Sequence, residues 1–137
     1  MPGSADAATL IGAYYKCFNA GDRPGMLALL ADDVAHDINQ GGRDVGKPAF
    51  AAFLAHMDRC YRETLTDIVI MPAADGRHAA AEFFVRGEYL ATDAGLPPAQ
   101  GQRYGLPAGT FFEIRDGLIA RVTTHYNLKD WIAQVGG

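Results

Sequence analysis

The hydrophobic pattern of this chain changes its period near residue 62, and that change constrains the fold more than any other feature. Before this point apolar residues recur at spacings of three and four, as on one face of an α-helix. From Glu63 to Tyr126 β-branched and aromatic residues follow a period of two, as in half-buried strands. Helices followed by a run of antiparallel strands predict an α+β domain with its helices on one face of a sheet.

Three helices and one short strand are predicted in the first part of the chain. The first helix covers about residues 5–19, the second is capped by Asp22, and the third starts near Pro48. Between the second and third helices, a strand over Val34–Asn39 leads into a glycine-rich turn at residues 40–43.

The second part of the chain contains most of the predicted sheet. Its strands are expected at residues 63–71, 78–91, 102–114 and 118–126. The sequence Arg115-Asp116-Gly117 is a tight hairpin signal between the last two strands, and Asn127 caps a short final helix. Because no linker or repeat divides the sequence, residues 1–137 are expected to form a single domain.

The composition excludes several classes of function. The chain is 49% apolar and 20% charged, as globular proteins are, and its formal net charge is -4. Because it has no basic cluster, nucleic acid and anionic membrane surfaces are poor partners. The sequence shows no secretion signal and no apolar stretch of membrane-spanning length. We therefore expect a cytoplasmic protein with reduced thiols at Cys17 and Cys60.

Several segments in the first part of the chain resemble a known family. Tyr14 precedes the FNAGD segment at Phe18–Asp22, the MLALLADD segment follows at Met26–Asp33, and His36-Asp37 precedes the glycine-rich turn. These segments resemble the start of the ketosteroid isomerase family, whose members share the fold of nuclear transport factor 2 (NTF2). The resemblance implies a cone-shaped NTF2-like fold, in which a curved, mainly antiparallel sheet wraps around the helices.

Two segments resemble a narrower group. The segments His36–Arg43 and Phe111–Gly117 are similar to bacterial SnoaL-like proteins known as ketosteroid isomerase-related. The resemblance implies a small-molecule enzyme of the isomerase, cyclase or dehydratase type. Such an enzyme would act on an apolar carbonyl compound without a cofactor.

The resemblance also implies roles for individual residues. Asp37 would shuttle a proton, and Tyr14 would polarise the substrate oxygen as a hydrogen-bond donor. Steroid isomerases have an acidic oxyanion donor just after the position of Pro107, where this chain has Gly109 or Thr110. Neither residue supplies a neutral carboxyl group. A non-catalytic module that binds a hydrophobic ligand or regulates a partner is therefore the alternative function.

The residues themselves leave two interpretations open for each catalytic candidate. If apolar side chains surround Asp37, desolvation raises its pKa toward that of a useful general base. Otherwise Asp37 accepts hydrogen bonds from the backbone of the adjacent turn. Tyr14 lies on the apolar stripe of the first helix, so its ring packs inward. Its hydroxyl serves either as an oxyanion donor or as a simple partner of Asp37.

Strand alternation separates the expected cavity wall from the outer face of the sheet. Glu82, Arg86 and His125 are expected to point outward, and the face bearing Thr123 and His125 is expected to form a homodimer interface. The four histidines do not follow a metal-binding spacing, so no metal site is predicted. Aromatic, aliphatic and hydroxyl side chains are expected to line the substrate cavity: Phe18, Phe53, Met57, Phe83, Val85, Phe112, Val122, Thr124 and Tyr126.

Overall fold

The computed structural model describes residues 4–39 and 41–136, which form helices packed against a sheet. The helices are α1 (Ser4–Ala20), α2 (Arg23–Ala28), α3 (Lys47–Cys60) and α4 (Leu128–Gly136). The strands are β1 (Leu30–Asp37), β2 (Arg43–Val45), β3 (Tyr61–Pro72), β4 (His78–Tyr89), β5 (Arg103–Arg115) and β6 (Leu118–Tyr126). The predicted α+β class is confirmed, and β2 is the addition to the expected order of elements.

Local sequence signals account for the starts of the helices. The Asp22 side chain caps α2 as predicted, because it accepts a hydrogen bond of 2.8 Å from the Gly25 amide. Pro48 lies in the first turn of α3, where its missing amide proton costs no helical hydrogen bond. Asn127 caps α4 by accepting a hydrogen bond of 3.1 Å from the Asp130 amide. Each signal involves residues only a few positions apart.

The strands form one curved sheet in the order β2-β1-β6-β5-β4-β3. Strands β3 to β6 form an antiparallel meander, whereas β1 runs parallel to β6. Helix α1 packs against β3 and β4, and α3 packs against β1. The parallel pair therefore joins the first part of the chain to the meander, and the helices cover the inner face of the sheet.

The start of β1 differs from the prediction. The strand begins at Leu30 rather than at Val34, because Leu30 pairs with Ile119 of β6 and is completely buried. The Ile119 amide also donates a hydrogen bond of 2.9 Å to the Leu29 carbonyl. The leucines before Ala31 satisfy a helical pattern equally well, so the partner strand decides their conformation.

The glycine-rich turn after β1 begins and ends earlier than predicted. β1 ends at Asp37, and Gly41 and Gly42 then adopt φ angles of 106° and 94°, a region that favours glycine. Arg43 belongs to β2 rather than to the turn, because β2 pairs with β1 in antiparallel register. Gln40, which the prediction includes in the turn, lies outside the described residues.

A bulge in β3 sets the position of α1. The register between β3 and β4 shifts between Thr66 and Val69, and Asp67 has a positive φ of 56° there. Beside the bulge, the Asn19 side chain donates to the Leu65 carbonyl and accepts from the Leu65 amide, each at 2.9 Å. These two hydrogen bonds hold the end of α1 against the sheet.

Trp131 of α4 covers one end of the inner face. Its ring centroid lies 4.9 Å from that of Tyr89 and 5.8 Å from that of Tyr104. The Gln134 side chain accepts from the Gly105 amide at 3.0 Å and donates to the Gly105 carbonyl at 2.9 Å. Helix α4 is therefore attached to β5 by both aromatic packing and hydrogen bonds.

The two cysteines, Cys17 and Cys60, are both free thiols, as predicted. Among residues 4–39 and 41–136, no helix is both long and apolar enough to cross a membrane.

Candidate active site

A cavity of about 400 Å³ lies between the inner face of the sheet and helices α1, α3 and α4. Nearly all residues predicted for its wall line it: Phe18, Phe53, Met57, Phe83, Val85, Val122, Thr124 and Tyr126. The predicted position of Phe112 is wrong, because Tyr14 and Tyr15 pack over its ring at centroid distances of 5.8 and 6.0 Å. A cavity of this size with a mainly apolar wall suits a small apolar molecule.

Asp37 borders the mouth of the cavity, but its carboxylate is bound on the outer face of the sheet. Asp37 pairs in register with Thr123, and the preceding His36 pairs with the inward-facing Val122. The Thr123 hydroxyl donates to Asp37 Oδ2 at 2.7 Å. Arg43 donates to both carboxylate oxygens, at 2.6 and 3.1 Å. The carboxylate is therefore part of an ion pair outside the cavity.

This environment lowers the pKa of Asp37 instead of raising it. The hydrogen bonds from Arg43 and Thr123 hold the pKa at about 2, and burial opposes them only weakly. The expected desolvated base with a raised pKa is therefore wrong. Among the described residues, no backbone amide of the turn donates to Asp37 as the turn-cap interpretation requires, because the partners of the carboxylate are side chains of β2 and β6.

His36 takes the inward position beside Asp37. Its buried ring lies 5.0 Å from Phe50 and 4.4 Å from Phe53, measured between ring centroids. Burial lowers the pKa of His36, and the nearby carboxylates of Asp44 and Asp37 oppose this effect. Its Nδ1 atom has no hydrogen-bond partner among the described residues. His36 thus adds a neutral ring to the cavity wall.

Tyr14 is buried among aromatic rings at the cavity wall. Its ring meets Tyr15 edge-on at 5.3 Å and Phe112 at 5.8 Å. Burial, reinforced by Tyr15, raises the pKa of Tyr14 far above its usual range, so its hydroxyl is a neutral hydrogen-bond donor. Tyr14 is not a donor to Asp37 among the described residues, because the Asp37 carboxylate accepts from Arg43 and Thr123 instead.

Thr110, and not Gly109, faces the cavity. Thr110 is buried, and its hydroxyl lies 3.1 Å from that of Thr124. Gly109 lies between Glu82 and His125, which point outward as predicted. The place of the acidic oxyanion donor is therefore taken by a hydroxyl that already has a partner.

A different carboxylate, that of Glu63 on β3, faces the cavity. The Tyr104 hydroxyl donates a hydrogen bond of 2.5 Å to Glu63 Oε2. Burial raises the pKa of Glu63, and the Tyr104 hydrogen bond and the positive charge of Arg23 oppose the rise only in part. Glu63 is half-buried because its carboxyl borders the cavity. This is the environment that was expected for Asp37.

The sequence carries a signal for Glu63 that the prediction did not use. Tyr61, Glu63 and Leu65 are alternate residues of β3 and all face the cavity. The charged side chain of Glu63 therefore takes a position at which an apolar residue is expected. An acid in such a position needs a partner or a function. Its partner Tyr104 is 41 positions away, and no local pattern connects the two residues.

Arg23 brings a positive charge to the cavity wall, but this charge is already paired. Its guanidinium lies 2.7 Å from the Asp58 carboxylate and 4.9 Å from the centre of the Phe18 ring. The guanidinium also donates to the Phe18 carbonyl at 3.3 Å. The cavity therefore favours an uncharged ligand over an anion.

A chain of hydrogen bonds lies at the more exposed edge of the cavity. His56 Nε2 is 2.9 Å from Asp93 Oδ1, and Tyr61 donates to Asp93 Oδ2 at 2.7 Å. Cys60 lies beside His56 and Asp93, and the possible ligand atoms are within 4.8 Å of one another. Arg59 contacts His56 Nδ1 at 2.9 Å. Because a guanidinium only donates, it selects the Nε2–H tautomer, opposite to the one that a metal on Nε2 requires. The group therefore fits a hydrogen-bond network better than a metal centre.

The fold and cavity define a protein of the NTF2-like class. A provisionally assigned polyketide cyclase from Pseudomonas putida is 64% identical, with a TM-score of 0.93 over 94% of this chain and 97% of its own. Another, from a Silicibacter species, is 56% identical, with a TM-score of 0.96 over 100% of both chains. A provisionally assigned ketosteroid isomerase from Kribbella flavida is 25% identical, with a TM-score of 0.65 over 90% of this chain and 79% of its own.

The family model of the SnoaL-like domain matches residues 11–122. The chain therefore belongs to the SnoaL-like family, and the resemblance found in its sequence is confirmed. A comparison with curated proteins found no match.

Replacing Asp37 by asparagine is expected to lower stability at neutral pH. Asp37→Asn removes the negative partner of Arg43, so the melting temperature should fall by a few degrees. Because folding lowers the pKa of Asp37, its stabilising effect is present above the usual carboxyl range and is lost as the pH falls toward about 2. Thermal unfolding followed by circular dichroism should show the two melting temperatures converging in acid.

Asp44→Asn is the matched control, because Asp44 is an exposed aspartate on the neighbouring strand β2. Its melting temperature should stay close to that of the wild type. Equal stability of Asp37→Asn and wild type at neutral pH would contradict a stabilising ion pair.

Proposed function

We propose that the protein is a small-molecule enzyme of the isomerase or cyclase type, which moves a proton on an apolar carbonyl compound bound in the cavity. The observation that carries this proposal is the Glu63 carboxyl, which Tyr104 holds within a largely apolar cavity. Glu63 takes the role that the family resemblance implied for Asp37. The provisional names of the relatives, polyketide cyclase and ketosteroid isomerase, support this class of reaction.

Burial brings the pKa of Glu63 closer to the range in which a carboxyl group exchanges protons near neutral pH. The ionised carboxylate would take a proton from the carbon beside the substrate carbonyl, and the electron pair of the broken C–H bond would form an enolate. Return of that proton to another carbon would complete an isomerisation with no change in composition. Tyr14 and Tyr126 line the cavity as neutral hydroxyl donors for the enolate oxygen, because burial raises the pKa of each.

A ligand-binding module without catalysis is the second candidate. It is favoured by Thr110, whose hydroxyl pairs with Thr124 at the place where steroid isomerases have an acidic donor. In this case the cavity would hold a hydrophobic compound without converting it. Measuring proton transfer and ligand binding on the same probe distinguishes the two candidates.

Glu63→Gln is expected to abolish proton transfer while leaving the fold intact. We choose 2-tetralone as the probe, since its α-protons exchange with deuterated water at a rate that NMR can follow. The variant should lose about 100-fold or more of the protein-catalysed exchange, the usual contribution of a general base. Its melting temperature should be equal or higher, because a buried amide avoids the desolvation cost of a carboxylate.

Glu82→Gln makes the same change on the outer face and should exchange 2-tetralone at the wild-type rate. Catalysis by the wild type should increase as the pH rises through the raised pKa of Glu63, because the ionised form is the base. Undiminished exchange by Glu63→Gln would contradict the role of Glu63. A wild type that binds 2-tetralone without catalysing exchange would favour the binding module.

Isomerisation of a Δ5-3-ketosteroid is expected to be slow. Dedicated steroid isomerases stabilise the dienolate with a protonated carboxyl group, whereas Thr110 offers a shared hydroxyl here. Loss of one strong oxyanion donor reduces the rate roughly 100-fold or more. The conversion of 5-androstene-3,17-dione can be followed by the ultraviolet absorbance of the conjugated product. A rate comparable with that of a dedicated isomerase would refute this prediction.

The outer face of the sheet supports a further part of the proposal, a homodimer. Phe111 is 51% exposed and Met71 is 46% exposed on this face, and the Phe111 ring contacts His125 at a centroid distance of 5.7 Å. Glu82 and Arg86 both point outward from β4. In a twofold dimer, the acid of one copy can pair with the base of the other.

Phe111→Glu is expected to convert the dimer into a monomer at micromolar concentration, because it places a charge in the centre of the apolar face. Sedimentation velocity measures the change. Val45→Glu is the control, since Val45 is 64% exposed on the edge strand β2 and should leave the dimer intact. A monomeric wild type at this concentration would count against the interface.

A further inference from the structure

Glu63, Gly87 and Tyr104 form one row across the inner face of the sheet. In the registers of the two strand pairs, Glu63 of β3 lies opposite Gly87 of β4, which lies opposite Tyr104 of β5. The Tyr104 hydroxyl reaches across the middle strand to Glu63. The residue between them therefore decides whether the hydrogen bond can form.

Gly87 leaves the space that the Tyr104 ring occupies. A Cβ atom on residue 87 would lie 2.3 Å from Tyr104 Cζ and 2.4 Å from its hydroxyl oxygen. Such distances are far below van der Waals contact, so any side chain at this position would displace the ring. Gly87 has no positive φ, and so the absence of a side chain, rather than backbone freedom, explains this glycine.

Trp131 holds the Tyr104 ring from another side. Their ring centroids are 5.8 Å apart at an interplanar angle of 78°, and Trp131 is buried. Gln134 attaches the same helix to Gly105, the residue after Tyr104. The Tyr104 ring is thus constrained by α4 on one side and by the backbone of β4 at Gly87 on the other.

We propose that Tyr104, admitted by Gly87 and backed by Trp131, is the residue that positions the Glu63 carboxyl for proton transfer. This proposal rests on the proposed function of Glu63. The Tyr104 hydroxyl donates a hydrogen bond to Glu63 Oε2. The other oxygen, Oε1, accepts no hydrogen bond from the described residues and is open to the cavity. Tyr104 therefore orients the Glu63 carboxyl so that its Oε1 atom faces the bound compound.

The hydrogen bond from Tyr104 also affects the pKa of Glu63. Tyr104 donates to the carboxylate form of Glu63 and so favours ionisation against the effect of burial. Arg23 of α2 acts in the same direction. Other titratable groups also line this end of the cavity: Tyr61, Asp93 with its partner His56, Asp58 with its partner Arg23, and Tyr126. Removing the Tyr104 hydroxyl should therefore raise the pKa of Glu63 further.

The test is a carboxyl ¹³C NMR titration of protein labelled at glutamate, which needs no substrate. The sequence has four glutamates, and the resonance lost in Glu63→Gln identifies Glu63. In Gly87→Ala and in Tyr104→Phe, Glu63 should titrate at a higher pH than in the wild type. The double variant should show no further shift, because both changes remove the same hydrogen bond.

Gly109→Ala is the matched control. It makes the same change in strand β5, where an added Cβ would only touch the Ala81 carbonyl oxygen at 3.5 Å, in the outward phase of the strand and away from Glu63. Its Glu63 titration should equal that of the wild type. If Gly87→Ala fails to fold, Tyr104→Phe decides alone, because it removes a single oxygen atom and keeps the ring against Trp131.

An unchanged Glu63 titration in Tyr104→Phe, or in folded Gly87→Ala, would overturn the positioning role. If the role is right, the pH profile of 2-tetralone exchange should also shift upward in Tyr104→Phe, which a merely structural change would not produce. Failure of the proposed function is a separate result: the wild type would lack exchange while the titration shifts in the two variants remained.

Discussion

The parallel pairing of β1 with β6 joins the two parts of the chain and determines which side chains of β1 enter the cavity. Its register sets His36 opposite Val122 and Asp37 opposite Thr123. Because side chains alternate along a strand, a shift by one residue would exchange the inner and outer faces of β1. The outer ion pair with Arg43 and the neutral ring of His36 inside the cavity both follow from this register.

The two carboxylates, Asp37 and Glu63, show how location decides the chemistry of one functional group. Asp37 receives hydrogen bonds from a guanidinium and a hydroxyl on the outer face, and its ionised form is stabilised. Glu63 borders an aromatic cavity and has one neutral hydroxyl donor, so desolvation outweighs the hydrogen bond. The carboxyl group with the raised pKa is therefore that of Glu63, although Asp37 carries the family resemblance.

The family of this protein accounts for its fold but does not determine its reaction. The SnoaL-like match and the structural relatives establish the family and the fold. A shared fold does not fix a reaction, because the reaction depends on the side chains at the site. In this chain, the Thr110 hydroxyl is paired with that of Thr124, while the row of Glu63, Gly87 and Tyr104 supplies a carboxyl group elsewhere in the same cavity. These differences motivate a mechanism built from Glu63.

Much of the fold could be predicted from the sequence because it depends on short-range patterns. The α+β order follows from the change of hydrophobic period, and the caps at Asp22 and Asn127 involve residues within three positions. Most of the expected cavity wall follows from strand alternation, which needs no knowledge of strand partners. Less of the candidate site could be predicted, because the sequence indicated most of the cavity wall but placed the acid at Asp37.

Only the tertiary structure decided the phase of β1, the strand conformation of Leu30 and the meeting of Glu63 with Tyr104. Leu30 becomes a strand residue through Ile119, far along the chain, and Glu63 meets its partner across β4 over 41 positions. These features depend on the register between distant strands. Because the side-chain period of a strand is two, an error of one residue in that register moves an acid from the cavity to solvent, and sequence spacing alone cannot determine it.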